Sequence, residues 1–464
     1  MDYFADLHLH SRFARATSKS LTLPLLVAEA EKKGIGLLAI PDYTHPVWLK
    51  EVERQIVQEA NGFYSLKDEG KVDKPTNRAK THLVFSTELT LYFRRNEKGY
   101  RMHLLVIAPN LEAVKEINKV LAPLGNLNSD GRPIFSKDVI LIVKTLFAVC
   151  PDVIVIPAHI WTPWFSLFGS RSGFDHFEDA FGEYSGAIPA VETGASSDPS
   201  NNWRVGELDN KNLVSFSDAH STFTLGREMT LFRGDFSYTS FRTALFDNPV
   251  SPLSTDSKIT GTIEFYPEEG KYHYSGHRKC AVVQSPAETK KYGSICPVCG
   301  KKLTLGVLHR IEELATRPTA KLQLESKDGW VSSKAFPQRP PFCHMVPLSE
   351  VIAQAYNVKS SRGSSVAKAY NALCDEFGNE WNVLANTPAE ALETVVEKNV
   401  VVAIVKNRVG DVKIAPGFDG EYGKVTIALP GRKNQNRKKL RSLKEPTKAT
   451  GSASLVVPAQ ARLL

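Results

Sequence analysis

The chain lacks any apolar run near the ~20 residues that a membrane-spanning helix needs, so a helical membrane protein is excluded. Cysteine is sparse: only Cys150, Cys280, Cys296, Cys299, Cys343 and Cys374 occur, too few and too unevenly placed for a disulfide scaffold. Most of the chain also lacks an excess of either charge. The formal net charge of the 464 residues is +8, yet Arg432 to Leu464 alone holds nine Lys or Arg and one acid. The residues before that segment are formally neutral, so the body is not broadly basic and the positive charge sits in a C-terminal appendage. No internal repeat is present. The opening MDYFADLHLH has neither a basic n-region nor an apolar h-region, so no signal peptide is expected and a cytoplasmic location is.

What the chain does have is 42% hydrophobic and 9% aromatic residues, the proportions of a soluble globular protein, and length for two or three domains. Up to about residue 255, short apolar runs alternate with helical stretches. Strands are expected at 3–10, 36–42, 82–88, 101–109, 153–159, 188–193 and 213–220. Helices are expected between them, for example 24–33, closed by Gly34, and 111–121. Alternating β and α segments predict an α/β fold with a mostly parallel sheet or barrel, and seven strands with functional residues at their ends favour a barrel.

Imidazoles and carboxylates gather at those strand ends. His8 and His10 stand two residues apart and so leave a strand on one face, as do Asp218 and His220. With Glu88 and His159 they make a candidate ligand set for two or three divalent ions, the arrangement that most often cleaves phosphate esters. His103 also belongs among the metal candidates, although it opens its strand instead of closing it. Asp42, His45 and Glu192 are further candidates, with Glu192 alternatively orienting a histidine. Asp218, His220 and Glu88 are the expected catalytic residues. His82, His176 and His344 look structural.

Cys296-Pro-Val-Cys299-Gly, preceded by His277-x2-Cys280, has the spacing of a closed Cys3His structural zinc site; His273 and His309 are alternatives to His277. Residues 256–306 are therefore expected to form a small zinc-binding module, 307–430 a mainly helical domain with a strand-like finish at VVAIV and KVTIAL, and 431–464 a basic disordered tail. After His159 comes IWTPWFSLFGSRSG, where Trp161, Trp164, Phe165, Ser170 and Arg171 are candidate DNA contacts. Ser360 to Ser365, before VAKAYNAL, is a candidate phosphate contact at a helix start.

The strand-end ligands resemble those of the PHP (polymerase and histidinol phosphatase) superfamily in order: His8-x-His10, Glu88, His103, His159 and Asp218-x-His220. The resemblance implies a distorted seven-stranded β/α barrel with up to three metals. One motif departs: Pro41-Asp42-Tyr43 replaces the usual Thr-Asp-His, with His45 two places on. HIWTPWFSLFGSRSGF, ETGASSDPS, SFSDAHS, CPVCGKKLTLGVLHRIEELA and GFDGEYG carry a narrower likeness, over about residues 1–428, to the endonuclease Q family. That likeness implies a DNA repair endonuclease, acting near the nucleoid. It would nick 5′ to hypoxanthine, uracil, xanthine or an abasic site in double-stranded DNA, using metal-activated water. Zn2+ would serve the structural and catalytic sites, with Mg2+ or Mn2+ as alternatives for activity. A sliding clamp is a partner of some relatives, but PAQARLL lacks the paired aromatics of a clamp-binding peptide. The rival readings are a PHP-type phosphoesterase for a small phosphorylated metabolite and a non-catalytic DNA-binding protein.

Overall fold

A computed structural model describes residues 1–67, 78–250 and 255–429. The basic tail lies outside them. The first expected helices form as Leu23–Lys33 and Leu111–Leu121. Gly34 closes the former at φ 88°, a left-handed conformation that suits glycine, and its N–H donates to Ala30 O. Asn110 caps the latter by accepting the Ala113 N–H at 2.9 Å.

Seven strands surround the candidate ligands: β1 Asp2–Asp6, β2 Ile35–Ile40, β3 His82–Arg95, β4 Lys98–Ala108, β5 Ile154–Pro157, β6 Ala190–Glu192 and β7 Asn212–Val214. β1–β2 and β2–β3 pair in parallel, β3–β4 and β4–β5 antiparallel, and β6–β7 in parallel. The sheet is thus mixed, not mostly parallel as expected. The reason lies at Asn96 and Glu97, both at positive φ (49° and 64°), which turn β3 back on itself as a tight hairpin. β6–β7 is a separate pair tied to its neighbours beyond the strand ends. Ile160 N donates to Glu192 O at 3.1 Å, and His10 N donates to Ala219 O at 3.0 Å. These two links join the ring where the ligands stand.

Period-two alternation sorts the strand residues between two apolar clusters. Tyr3 and Ala5 enter one, with Leu37, Val84, Leu105, Ile107, Ile154 and Ile156. Phe4 enters the other, with Leu38, Phe85, Leu104, Val106 and the helices.

The sheet runs past the boundaries expected at 255 and 306. β8 (Met229–Arg233) pairs with β1, and β9 (Lys258–Glu264) pairs with β8. β10 (Leu324–Lys327), β11 (Trp330–Ser333) and β12 (Phe342–His344) extend it, β12 running parallel to β9. β10, β11 and β12 therefore stand within the stretch expected to be mainly helical, ahead of its strand-like finish. The helices that follow are Leu348–Ala355, Ser364–Phe377, Ala389–Leu392 and Lys398–Arg408. The last contains VVAIV, which was expected as a strand. Its β-branched residues Val400, Val401 and Ile404 pack into the core, and burial outweighs their strand preference. KVTIAL does supply a strand, Lys424–Ile427, paired with Val412–Ala415.

Candidate metal centre

His8, His10 and Glu88 bring one ligand atom each within 4.8 Å of one another; so do His10, Asp218 and His220, and so do Glu88, His103 and His159. The six first-choice side chains and His103 therefore converge in three overlapping groups. Glu88 joins two of them. Its Oε1 lies 2.5 Å from His103 Nδ1, 3.2 Å from His159 Nε2 and 3.5 Å from His8 Nε2, while Oε2 lies 3.5 Å from His10 Nε2. Asp218 Oδ1 stands 3.0 Å from His10 Nε2 and 3.6 Å from both His8 Nε2 and His220 Nδ1.

Glu88 and His103 do not lie at strand ends. β3 continues to Arg95, and β4 begins at Lys98, so both residues sit mid-strand. Thr90 faces His103 and Glu88 faces Leu105, which puts Glu88 and His103 on a diagonal of one sheet face. Asp42, His159 and Asp218, by contrast, leave their strands with left-handed backbones, at φ 52°, 31° and 46°. Such conformations are uncommon for residues with a Cβ and collect where a side chain must be aimed.

Asp42 and Glu192 stand behind the first histidine pair. Glu192 Oε1 is 2.9 Å from His8 Nδ1, and Asp42 Oδ1 is 3.2 Å from His10 Nδ1. Each leaves the opposite nitrogen, Nε2, facing the cluster. A carboxylate in that position fixes the ring and raises its basicity. Asp42 also accepts the Ser11 N–H at 2.6 Å, and Glu192 the His159 N–H at 2.7 Å. His45 is not in the cluster. It caps helix Pro46–Gln55, accepting the Trp48 N–H, and packs on Phe13.

The electrostatics are those of a buried charge cluster. Burial opposes ionisation of Glu88, yet His103 and His8 hold it well below the usual carboxylate range. Burial likewise opposes, and His8 and His10 outweigh it, at Asp218. His8 is pushed well up, against its own burial, by Glu192, Asp218 and Glu88. Two buried atoms at the centre, His8 Nε2 and Glu88 Oε2, have no hydrogen-bond partner. Unpartnered nitrogen and oxygen atoms buried within one N/O set are what a divalent cation would satisfy, so these residues fit one.

A second group brings His277, Cys280, Cys296 and Cys299 within the same 4.8 Å limit. Cys299 Sγ lies 3.3 Å from His277 Nδ1. Although burial opposes it, the Val298 and Cys299 N–H groups and His277 draw the Cys296 thiol down to about 6. His273 and His309 are elsewhere: His273 is buried against Tyr274, and His309 pairs with Glu313. His82 and His176 pair with Glu59 and Glu207, and His344 with Asp198.

The aromatic loop divides. Trp161 cannot stack on a base: it is buried against Phe168 and donates to Asn202 Oδ1 at 2.8 Å. Trp164 is exposed, edge-on to Tyr272. Phe165 leans on His103, with ring centroids 5.1 Å apart. Arg171 is exposed and Ser170 half-buried. Ser360 to Ser365 leads into helix Ser364–Phe377, and Arg362 lies over Phe223, three residues past His220.

One residue escaped the sequence reading. Arg132 Nη1 lies 3.6 Å from Glu88 Oε2. It comes from a loop between elements, and only the turn-forming Asp130-Gly131 before it hints at a fixed backbone.

The MJ0043 C-terminal domain family model matches residues 347–411. The uncharacterized protein YqxK of Bacillus subtilis is 30% identical over 437 residues, covering 91% of this chain and 98% of that one. MJ0043 of Methanocaldococcus jannaschii is 31% identical over 271 residues, 58% of this chain, which spans only 31% of that longer protein. Among solved structures, the lesion-specific endonuclease PfuEndoQ from Pyrococcus furiosus superposes with a TM-score of 0.75 at 27% identity, covering 92% of this chain and 96% of that one. Endonuclease Q in complex with a 27-mer duplex substrate carrying an abasic lesion at its active site gives 0.74 at the same identity, covering 92% and 97%. The chain belongs to the endonuclease Q family. Within this endonuclease Q chain, the matched C-terminal segment holds helices Leu348–Ala355, Ser364–Phe377 and Lys398–Arg408, which pack on one another beside the sheet.

Proposed function

We propose that this chain is a DNA repair endonuclease that nicks duplex DNA on the 5′ side of deaminated bases (hypoxanthine, uracil, xanthine) and abasic sites. The observation that carries this reading is the convergence of His8, His10, Glu88, His103, His159, Asp218 and His220, with Glu88 shared between groups, in a chain whose solved relative holds an abasic duplex at its active site. Bound divalent ions, Zn2+ with Mg2+ or Mn2+ as alternatives, would supply an activated water and neutralise charge on the phosphoryl oxygens.

The residues themselves do the positioning. Glu88, His103 and His159 would hold one ion; His10, Asp218 and His220 would hold another; Glu192 and Asp42 lock the rings of His8 and His10. A damaged base must leave the stack to be inspected, and weakly paired bases flip at least cost. Exposed Trp164 and Arg171, on the loop that follows His159, suit the strand that is opened. His277, Cys280, Cys296 and Cys299 form a structural zinc site within 256–306, and 307–430 serves as a DNA-binding domain.

The test is direct. Labelled duplexes containing deoxyinosine, deoxyuridine or an abasic site are incubated with protein and Zn2+, Mn2+ or Mg2+. A nick 5′ to the lesion, with a 3′-hydroxyl, is expected. Intact lesion duplexes alongside hydrolysis of a small phosphate monoester would favour the metabolite phosphoesterase instead.

A further inference from the structure

We propose that Arg132 is a substrate-contacting residue that grips a non-bridging oxygen of the phosphodiester to be cut. This rests on the reading that a DNA phosphodiester is the substrate. Three observations carry it.

The first is placement. Arg132 Nη1 is 3.6 Å from Glu88 Oε2, the oxygen that faces His10, and the side chain is about one-fifth exposed. It stands at the mouth of the cluster and not behind it. Among the described residues its guanidinium has this ion pair and no hydrogen bond at closer range. Its planar fork is therefore available for two phosphate oxygens.

The second is that its backbone is built, not loose. Buried Asp130 accepts the Arg132 N–H at 3.1 Å and the Arg15 N–H at 3.2 Å, and its carboxylate pairs with Arg15 Nε at 3.1 Å. Gly131 N donates to Phe13 O at 3.1 Å. A Cβ on Gly131 would collide with the Asp42 carboxylate, so only glycine lets the loop come this close. Asp42 is the residue that orients His10. One wedge thus sets both a candidate ligand and the arginine, and Asp130 is a positioning residue.

The third is charge balance. Glu88, Asp42 and Glu192 are buried carboxylates in or against the cluster, and Asp218 is a half-buried fourth. Two divalent cations would balance them. Arg132 would then be a surplus positive charge in a poorly solvated place, and an anion entering the mouth relieves it.

The experiment compares wild type, Arg132→Ala and Arg132→Lys on an abasic duplex. One substrate carries an ordinary phosphate at the nicked linkage and the other a neutral methylphosphonate. Binding is read by fluorescence anisotropy, nicking by single turnover, and metal content and melting temperature are measured on each protein. Losing the contact should weaken wild-type binding about tenfold when the methylphosphonate is introduced. Arg132→Ala should lose about as much on the ordinary duplex and be clearly less sensitive than wild type to the methylphosphonate, with Arg132→Lys between them and metal content unchanged. Losses that multiply between variant and methylphosphonate overturn the contact. So does metal lost in step with activity. If Arg132→Ala does not fold, Arg132→Lys is held to the same comparison. Wild type that binds but nicks no lesion duplex refutes the nuclease reading, while the binding comparison still decides the phosphate contact.

Discussion

Glu192 Oε1 approaches His8 Nδ1 to 2.9 Å, and that bond decides which nitrogen of His8 faces the cluster. The Nε2 so presented lies 3.5 Å from Glu88 Oε1 and 3.6 Å from Asp218 Oδ1. Glu192→Gln keeps the shape and removes the charge. Metal affinity should fall about 10- to 100-fold, and nicking should return in excess metal. A metal titration of activity checks this; loss that no metal concentration restores would make Glu192 a ligand in its own right.

Asp218→Asn should abolish nicking and leave duplex binding within about threefold of wild type, because it removes the charge of a candidate ligand that stands against His8, His10 and His220. Single-turnover cleavage and anisotropy on the same preparation separate the two effects. Wild-type turnover in this variant would move the active site elsewhere.

Much of that site was legible in the sequence. His8 and His10, or Asp218 and His220, declare themselves by a two-residue spacing at the end of an apolar run. The contact of Glu88 with His103 is a different matter. It depends on the register set by the hairpin at Asn96 and Glu97, and fifteen residues of sequence do not reveal which way that ladder locks. Arg132 lies in a loop whose place is set by Phe13 and Asp42, both far away in the chain. Helix Lys398–Arg408 was hidden for the opposite reason: its local composition favours a strand, and packing overrides it.

Cys296→Ser and Cys299→Ser should each release one tightly held zinc and lower the melting temperature, since a structural zinc contributes folding free energy directly. Metal analysis and a thermal melt on the same samples check it. Unchanged zinc and stability would show that the four converging ligands hold no structural ion.

Glu269 provides a pH test. Burial, with Glu350 and Glu268 beside it, pushes its carboxyl up to about 8, against an ordinary value near 4.5. The folded protein therefore keeps this proton where the unfolded chain has released it, and stability falls as pH rises from about 4.5 to 8. Glu269→Gln removes that loss, which is about 2 kcal/mol at most for a group still partly in contact with water. The variant should melt higher than wild type at pH 9 and close to it at pH 5. A difference that is constant across the range would place the effect outside this carboxyl.

The tail, Arg432 to Leu464, carries the formal +8 of the chain. Deleting it should weaken binding to intact and lesion-bearing duplex by similar factors and flatten the slope of log affinity against log salt. Lesion preference should hardly move, because a flipped base is read inside the folded body. An unchanged slope would make the tail a solvating appendage, and a collapsed preference would make it part of recognition.

β8 is flanked on one side by β1 and on the other by β9, which begins only at Lys258. A protein cut at residue 255 would strip β9 away and leave the N–H and C=O groups of Met229–Arg233 without their partners along one whole edge. Raw edges of that kind recruit strands from other molecules. Residues 1–255 expressed alone should therefore collect in inclusion bodies, even though every candidate ligand of the cluster around Glu88 is present, and solubility should return once the segment through His344 is restored.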